Sequence, residues 1–195
     1  VSWTLGANIE TLDLTGTANI DGTGTTLGET IFGNSGDNVL TGNGGLDTLR
    51  GEGGADTLNG GSEFDALYGG AGNDVINAGD GGDHVQGDGG NDTLNGEGGN
   101  DWMLGGDGED IINGGAGRDR MFGHDGADTL YGGAGEDTMA GGAGSDTFVY
   151  ADVSERGDTI TDFATSGQLD ALDLSQLIAN LGYAGGTCSV TDSSS

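Results

Sequence analysis

Residues 87–113 read GDGGNDTLN, GEGGNDWML and GGDGEDIIN, three nonapeptides laid end to end. Each opens with glycine and carries glycine again at its fourth place, aspartate at its sixth and an apolar residue at its eighth. Followed outward, the frame G-G-x-G-x-D-x-U-x, with U a large apolar residue, holds without insertion from Gly33 to Val149, thirteen repeats in all. Position one is Gly except at Ala78, and position four is Gly except at Glu63. Position six is Asn38 in the first repeat, then Asp47, Asp56, Asp65, Asp74, Asp83, Asp92, Asp101, Asp110, Asp119, Asp128, Asp137 and Asp146. Position eight is apolar throughout, from Leu40 through Ile76, Met103 and Leu130 to Phe148. One G-x-G-x-x-G among 46 glycines says little. Thirteen in frame argue against a flexible linker, which has no use for an apolar residue every nine positions.

Each position has a physical reason. Glycine reaches positive φ at little cost, so several per repeat allow a tight turn that aims carbonyls inward. Asp at position six closes that turn with a carboxylate. The tripeptide x-U-x is predicted to be a minimal strand with U turned inward and its neighbours outward. Tripeptides such as T-L-N, D-T-L and V-I-N suit the pleat, and the chain has no proline to delete a ladder N–H. One repeat cannot bury its single apolar residue, but a stack can. The expected class is therefore all-β.

Charge narrows the function. The 195 residues hold 33 Asp and Glu against four arginines (Arg50, Arg118, Arg120 and Arg156), for a net charge of −29. Such a chain repels itself unless cations neutralise it. It has no basic stripe to offer a nucleic acid. Carboxylates at this density suit a hard cation, Ca²⁺ before Mg²⁺. Cys188 is the single cysteine, so neither a disulfide nor a thiolate zinc site can hold the fold. No apolar run has the length of a membrane span and no signal peptide is visible. The opening V-S-W-T-L lacks an initiator Met and reads as a piece of a larger protein.

No catalytic signature is present: no H-E-x-x-H, G-x-S-x-G, Walker lysine or EF-hand spacing. His84 and His124 occupy different repeat positions, one in a strand and one in a turn, and read as solvated. Carboxylates that recur every nine residues read as metal ligands rather than as a glycosidase pair. The expectation is a binding module, not an enzyme.

The frame resembles the RTX (repeats-in-toxin) haemolysin-type calcium-binding repeats over about three-fifths of the chain. The resemblance implies a right-handed parallel β-roll in which two repeats make one turn, so that odd and even repeats build two stacked sheets. It implies Ca²⁺ between turns one coil apart, held by position-six carboxylates and turn carbonyls. On this chain the odd edge would run through Asn38, Asp56, Asp74, Asp92, Asp110, Asp128 and Asp146, with carbonyls from Gly33, Gly51, Gly69, Gly87, Gly105 and Gly123. The even edge would run through Asp47, Asp65, Asp83, Asp101, Asp119 and Asp137, with carbonyls from Gly42, Gly96, Gly114 and Gly132. Up to eleven ions would fit between those turns, close to balancing the charge of −29.

The flanks resemble the same family. Residues 1–32, with L-T-G-T-A-N-I-D-G-T-G-T, look like degenerate, calcium-poor coils ahead of the block 33–149. Residues 150–195 look like a closing segment. There D-T-I-T-D-F (158–163) precedes L-D-L-S-Q-L-I-A-N-L-G (172–182), in which Leu174, Leu177, Ile178 and Leu181 have helical spacing and Gly182 suits a C-cap. A short amphipathic helix is expected to cover the open end of the roll, with a frayed tail beyond it. Asp158 and Asp162 are candidates for a last calcium or for ordinary turn bonds.

By resemblance the chain is a module of a larger secreted protein, disordered without Ca²⁺ and folding outside a Gram-negative cell after type I export. The alternative is a partner-binding module, for glycan, protein or ice, of a surface adhesin or secreted enzyme. Outward positions of the even repeats place Tyr68, Trp102, Leu104, Arg120 and Phe122 in one expected patch. It would serve to dock a flank of the same chain, to self-associate or to hold an acidic glycan. The Thr57, Thr93, Thr129 and Asn59, Asn77, Asn95, Asn113 columns suggest a flat polar sheet of the ice-binding kind, interrupted by Val75 and Ile111. Glu63 and Ala78 lie in adjacent even coils and are expected to distort the site between Asp65 and Asp83.

Overall fold

A computed structural model describes residues 1–151, 155, 157–164 and 168–180. Over the described residues the chain winds as a parallel β-solenoid of about nine turns, with ten strands in one sheet and nine in the other. The first sheet runs from Ser2–Thr4 to Ala171–Asp173 and the second from Thr11–Asp13 to Thr159–Ile160. Successive strands alternate between sheets, so each coil takes two nonapeptides. The register is therefore eighteen residues: Leu40 stands beside Leu58, Leu58 beside Ile76, Leu94 beside Ile76 and Ile112.

This register makes the core. Every position-eight residue from Leu40 to Phe148 is fully buried, and Ile31 extends the row upstream. Burying one such side chain contributes roughly 1.5–3 kcal/mol. Each is buried only because a neighbouring coil lies against it, so stability builds coil by coil.

The strands are longer than the tripeptides expected from the sequence. They run through six or seven residues, as in Thr57–Ser62 and Thr93–Gly99, and take in the glycines that open the next nonapeptide. The alternation continues too, so Gly60 and Gly96 point inward beside Leu58 and Leu94. Ladder bonds to the next coil hold the glycines extended where propensity alone would not.

Positive φ falls at positions two and four rather than at position one. At position two it is taken by Gly and equally by Asn43, Glu52, Asp88, Glu97 and His124, with φ between 68° and 82°. At position four Glu63 adopts φ 74° where its counterparts are glycine. His124 thus lies within the strand Arg120–Asp125, not in a turn.

Both flanks continue the roll. Upstream strands Ser2–Thr4, Thr11–Asp13 and Asp21–Thr23 pair in register with the coils that follow. Downstream, Leu172 lies in a strand paired with Thr147–Val149, so the expected helix starts later, at Ser175, and ends at Asn180. None of its residues is fully buried. Ile160, Phe163 and Leu172 pack against the end of the core instead. Leu181, Gly182, Cys188 and Arg156 lie outside the described residues, as does the tail expected to fray.

Candidate metal centre

Position six sits where the turn ends and the next strand begins. There Oδ1 of each Asp accepts a hydrogen bond from the backbone N–H of the corresponding residue one coil earlier. Fourteen such bonds, 2.7–3.1 Å long, form two unbroken ladders. One runs from Asn38 through Asp56, Asp74, Asp92, Asp110 and Asp128 to Asp146 and Asp170. The other runs from Glu29 through Asp47, Asp65, Asp83, Asp101 and Asp119 to Asp137 and Asp158.

The second oxygen is the one that matters. Oδ2 of all twelve position-six Asp, and of Asp158, is buried and accepts no hydrogen bond. A buried acceptor without a donor costs free energy, and a buried carboxylate costs more. Burial accordingly pushes these carboxyls up: Asp56, Asp65, Asp92, Asp101 and Asp128 to about 7, Asp47 and Asp137 to about 6. Asp74, Asp83, Asp110, Asp119, Asp146 and Asp158 are raised for the same reason. The ladder N–H offsets part of this, while carboxylates in neighbouring coils add to it at several rungs.

The position-one glycine explains what Oδ2 faces. A Cβ on Gly42 would fall 2.3 Å from Asp47 Oδ2 and 2.6 Å from the Gly60 carbonyl oxygen of the next coil. On Gly105 it would fall 2.4 Å from Asp110 Oδ2 and 2.7 Å from the Gly123 carbonyl. Glycine is required here because two oxygens converge where a side chain would stand, not because φ is positive. Both oxygens are acceptors. Facing acceptors with no donor between them fit a cation with a preference for hard oxygen ligands.

The carbonyls of Gly42, Gly51, Gly69, Gly87, Gly105, Gly114, Gly123 and Gly132 each reach such a cradle in the preceding coil. Gly33 and Gly96 border cradles through their own Cα, beside Asn38 and Asp101. The carbonyls of Gly60, Ala78 and Gly141 do the same work and were not expected from the sequence. Among the described residues no three His, Cys, Asp or Glu side chains converge on one point. The ladders are single files with coils about 4.8 Å apart, so a cation here would rely on backbone carbonyls as much as on side chains.

The ladder ends show what the repeat frame hides. Glu29 holds the position-six place one nonapeptide ahead of Gly33; its carboxylate accepts from the Thr25 N–H at 3.0 Å and from the Thr25 hydroxyl. The in-frame run T-I-F after it (30–32) was the available signal. At the other end Asp158 and Asp170 take the last rungs, although insertions put them 21 and 24 residues from their partners rather than 18. Asp162 instead accepts the N–H groups of Gly141 and Gly142. Asn38 answers its own needs, accepting from the Asn34 N–H and donating to the Ile20 carbonyl. At the two irregular positions the ladder does not break: Asp65 N–H reaches Asp83 Oδ1 at 2.8 Å. Glu63 also bonds back, accepting from the Gly45 N–H at 2.6 Å.

The outer face of the second sheet carries Tyr68, His84, Trp102 and Phe122. Arg50 lies over the Tyr68 ring at 4.2 Å, and His84 makes edge contacts with both Tyr68 and Trp102, at 5.6 and 5.8 Å between centroids. His84 is thus half-buried, with a ring on either side. Leu104 pairs with Phe122 and Trp102 with Arg120, while Gln86 separates Tyr68 from Leu104. On the first sheet Asn95 donates to Asn77 and Asn77 to Asn59, so that column satisfies itself rather than facing outward unbonded.

No curated protein matches the chain. The family model of the RTX calcium-binding nonapeptide repeat, four copies to a match, fits residues 23–58, 51–85, 77–112, 86–121 and 113–148. The first match begins ahead of Gly33 and takes in Glu29, in agreement with the ladder. Repeats of this kind bind calcium. By the frame, the fold and the extent of that match, the chain belongs to the RTX calcium-binding nonapeptide repeat family.

Proposed function

We propose that this chain is a calcium-gated folding module, in which the position-six Asp Oδ2 atoms and the position-one carbonyls of the next coil hold Ca²⁺ between turns. The observation that carries this reading is the row of thirteen buried Oδ2 atoms without a hydrogen bond. Calcium bound there supplies the positive charge that the sequence lacks. The chain's own residues do the rest: the ladder N–H groups fix each carboxylate, and the glycines leave the cradle open. The thirteen repeats at 33–149 carry most of the ions, and the coils on either side close the ends.

Without the ion the carboxylates oppose one another and the core rows cannot assemble. Extracellular calcium modules bind at roughly 10⁻⁴–10⁻³ M, far above resting cytosolic levels. The chain is then threadable inside a cell and folds outside, which suits export by a type I system; repeats of this family typically belong to secreted proteins. The parent protein would be a secreted enzyme or a surface adhesin, and the repeats act as its structural module rather than its catalyst. Among the described residues no helix is long and apolar enough to cross a membrane.

Far-UV circular dichroism during an EDTA-to-calcium titration tests the switch. A cooperative gain of β-signal in calcium, with magnesium much less effective, is the expected result. A β-spectrum already complete in EDTA at neutral pH would overturn it.

A further inference from the structure

We propose that a groove on the second sheet, beside the calcium edge, binds a carboxylated oligosaccharide such as an oligo-uronate. The groove has a volume of about 560 Å³ and is walled by Phe64, His84, Asn100, Trp102, Arg118 and Arg120. Its floor is formed by Asp83 and Asp101, which are almost wholly buried and belong to the ladder.

The charge distribution singles this place out. Three arginines lie among the described residues of a chain whose net charge is −29. Arg50 is stacked on Tyr68. Arg118 and Arg120 stand at positions five and seven of one repeat and both border the groove. Among the described residues neither guanidinium makes an ion pair or a hydrogen bond; their backbone N–H groups alone are engaged, that of Arg118 by Asn100 Oδ1 at 2.8 Å and that of Arg120 by the Asp101 carbonyl at 2.8 Å. Two unpaired arginines amid abundant carboxylates hold ten N–H donors in reserve for a planar anion, and a carboxylate matches their fork.

The apolar wall defines the remainder of the ligand. Phe64 and Trp102 are each 51% exposed. Trp102 is steadied by the edge of His84, at an interplanar angle of 87°, and His84 in turn by Tyr68. A steadied aromatic face beside cations is suited to a flat, weakly apolar ring that carries an acid group. A pyranose uronate has both, with C–H groups on its faces and a carboxylate at its edge. Phe64 and Arg118 are three coils apart, roughly 14 Å at about 4.8 Å per coil. Several linked sugar units span that length.

A second copy of this chain suits the groove less well, because even with eleven Ca²⁺ bound it would bring a further net negative charge against the same field. A short oligo-uronate brings only a few charges. An acidic peptide could engage the arginines but offers no ring to Trp102.

The experiment is calorimetric titration of the calcium-saturated chain, at fixed free calcium, with trigalacturonate, its methyl ester and hexaglutamate. The expected result is saturable binding of the acid, at least tenfold weaker for the ester and for hexaglutamate, and at least tenfold weaker for Arg118→Gln/Arg120→Gln. Equal binding of acid and ester, or no binding of the acid, overturns the proposal. Hexaglutamate binding as tightly as the sugar acid overturns the sugar in favour of an acidic peptide. A dimer in light scattering that the double variant dissolves overturns it in favour of self-association. Circular dichroism in calcium checks that the double variant folds; if it does not, the comparison of acid with ester on the unsubstituted chain still decides.

Discussion

The backbone N–H of Asp74 donates to Oδ1 of Asp92, one coil further on, at 2.8 Å, and leaves Oδ2 of Asp92 buried without a partner. The two oxygens of one carboxylate therefore have separate tasks. Oδ1 ties adjacent coils together, and Oδ2 is held against the Gly105 carbonyl, where a Cβ on Gly87 would lie 2.3 Å from the one and 2.5 Å from the other.

Asp92→Asn separates those tasks. The amide keeps an acceptor for the Asp74 N–H and turns a donor toward the Gly105 carbonyl. Two effects of opposite sign are expected: more residual structure in EDTA, and calcium binding at that rung weakened at least tenfold. Calorimetric calcium titration and circular dichroism of the variant measure both. An unchanged calcium midpoint would contradict the role given to Oδ2.

Protonation should partly replace calcium. In an unfolded chain these carboxyls titrate near 4, whereas burial in the metal-free fold lifts Asp56, Asp65, Asp92, Asp101 and Asp128 to about 7. Between those values the folded chain holds more protons than the unfolded one, so the metal-free fold loses stability as pH rises from about 4 to about 7. In EDTA the β-signal is expected to grow as pH falls from neutrality toward 4.5. In calcium the midpoint is expected to rise at least tenfold from pH 7.5 to 5.5, because each ion must displace protons. A midpoint independent of pH would count against buried carboxylates as ligands.

Ala78 is a natural probe of the cradle. Its glycine counterparts place a would-be Cβ against Oδ2 of their own repeat and the carbonyl one coil on. By that register the Ala78 methyl falls beside Asp83 and the Gly96 carbonyl, on the side toward Asp101. Ala78→Gly is expected to raise the calcium stoichiometry by one ion, or to tighten the weakest one. Gly96→Ala, whose Cβ would lie 2.4 Å from both Asp101 Oδ2 and the Gly114 carbonyl, is expected to destabilise the calcium form by about 1–3 kcal/mol. Equal stoichiometry in Ala78→Gly and the parent, with equal affinities, would show that a methyl does not close the site.

Leu94 lies fully buried between Ile76 and Ile112. Leu94→Ala should cost about 2–5 kcal/mol in saturating calcium. Urea unfolding measures it; a loss below 0.5 kcal/mol would mean that the apolar row is not what holds neighbouring coils together.

The nonapeptide frame made the core row and the position-six carboxylates legible in the sequence, because each depends on a period that the chain repeats thirteen times, while the parallel stacking followed from the family resemblance that the frame carries. What it concealed lies where the period fails or where two coils meet. Asp170 could not be placed by counting, since inserted residues put it 24 from Asp146. Glu29 was hidden because Leu27 stands at position four of its nonapeptide, so the frame looked broken there. The reason for glycine at position one is a contact with the following coil, which no single repeat contains. Phe64, His84 and Arg118 were not grouped as one site because positions five and seven belong to different parts of the repeat and become neighbours only across stacked coils.

Calcium anomalous scattering from crystals grown in the ion tests the central claim most directly. The account predicts peaks in file along both edges of the roll, each within about 2.3–2.6 Å of a position-six Asp Oδ2 and of a position-one carbonyl, with density weakest beside Ala78. Peaks confined to exposed surface carboxylates, with the Oδ2 rows left bare, would contradict it.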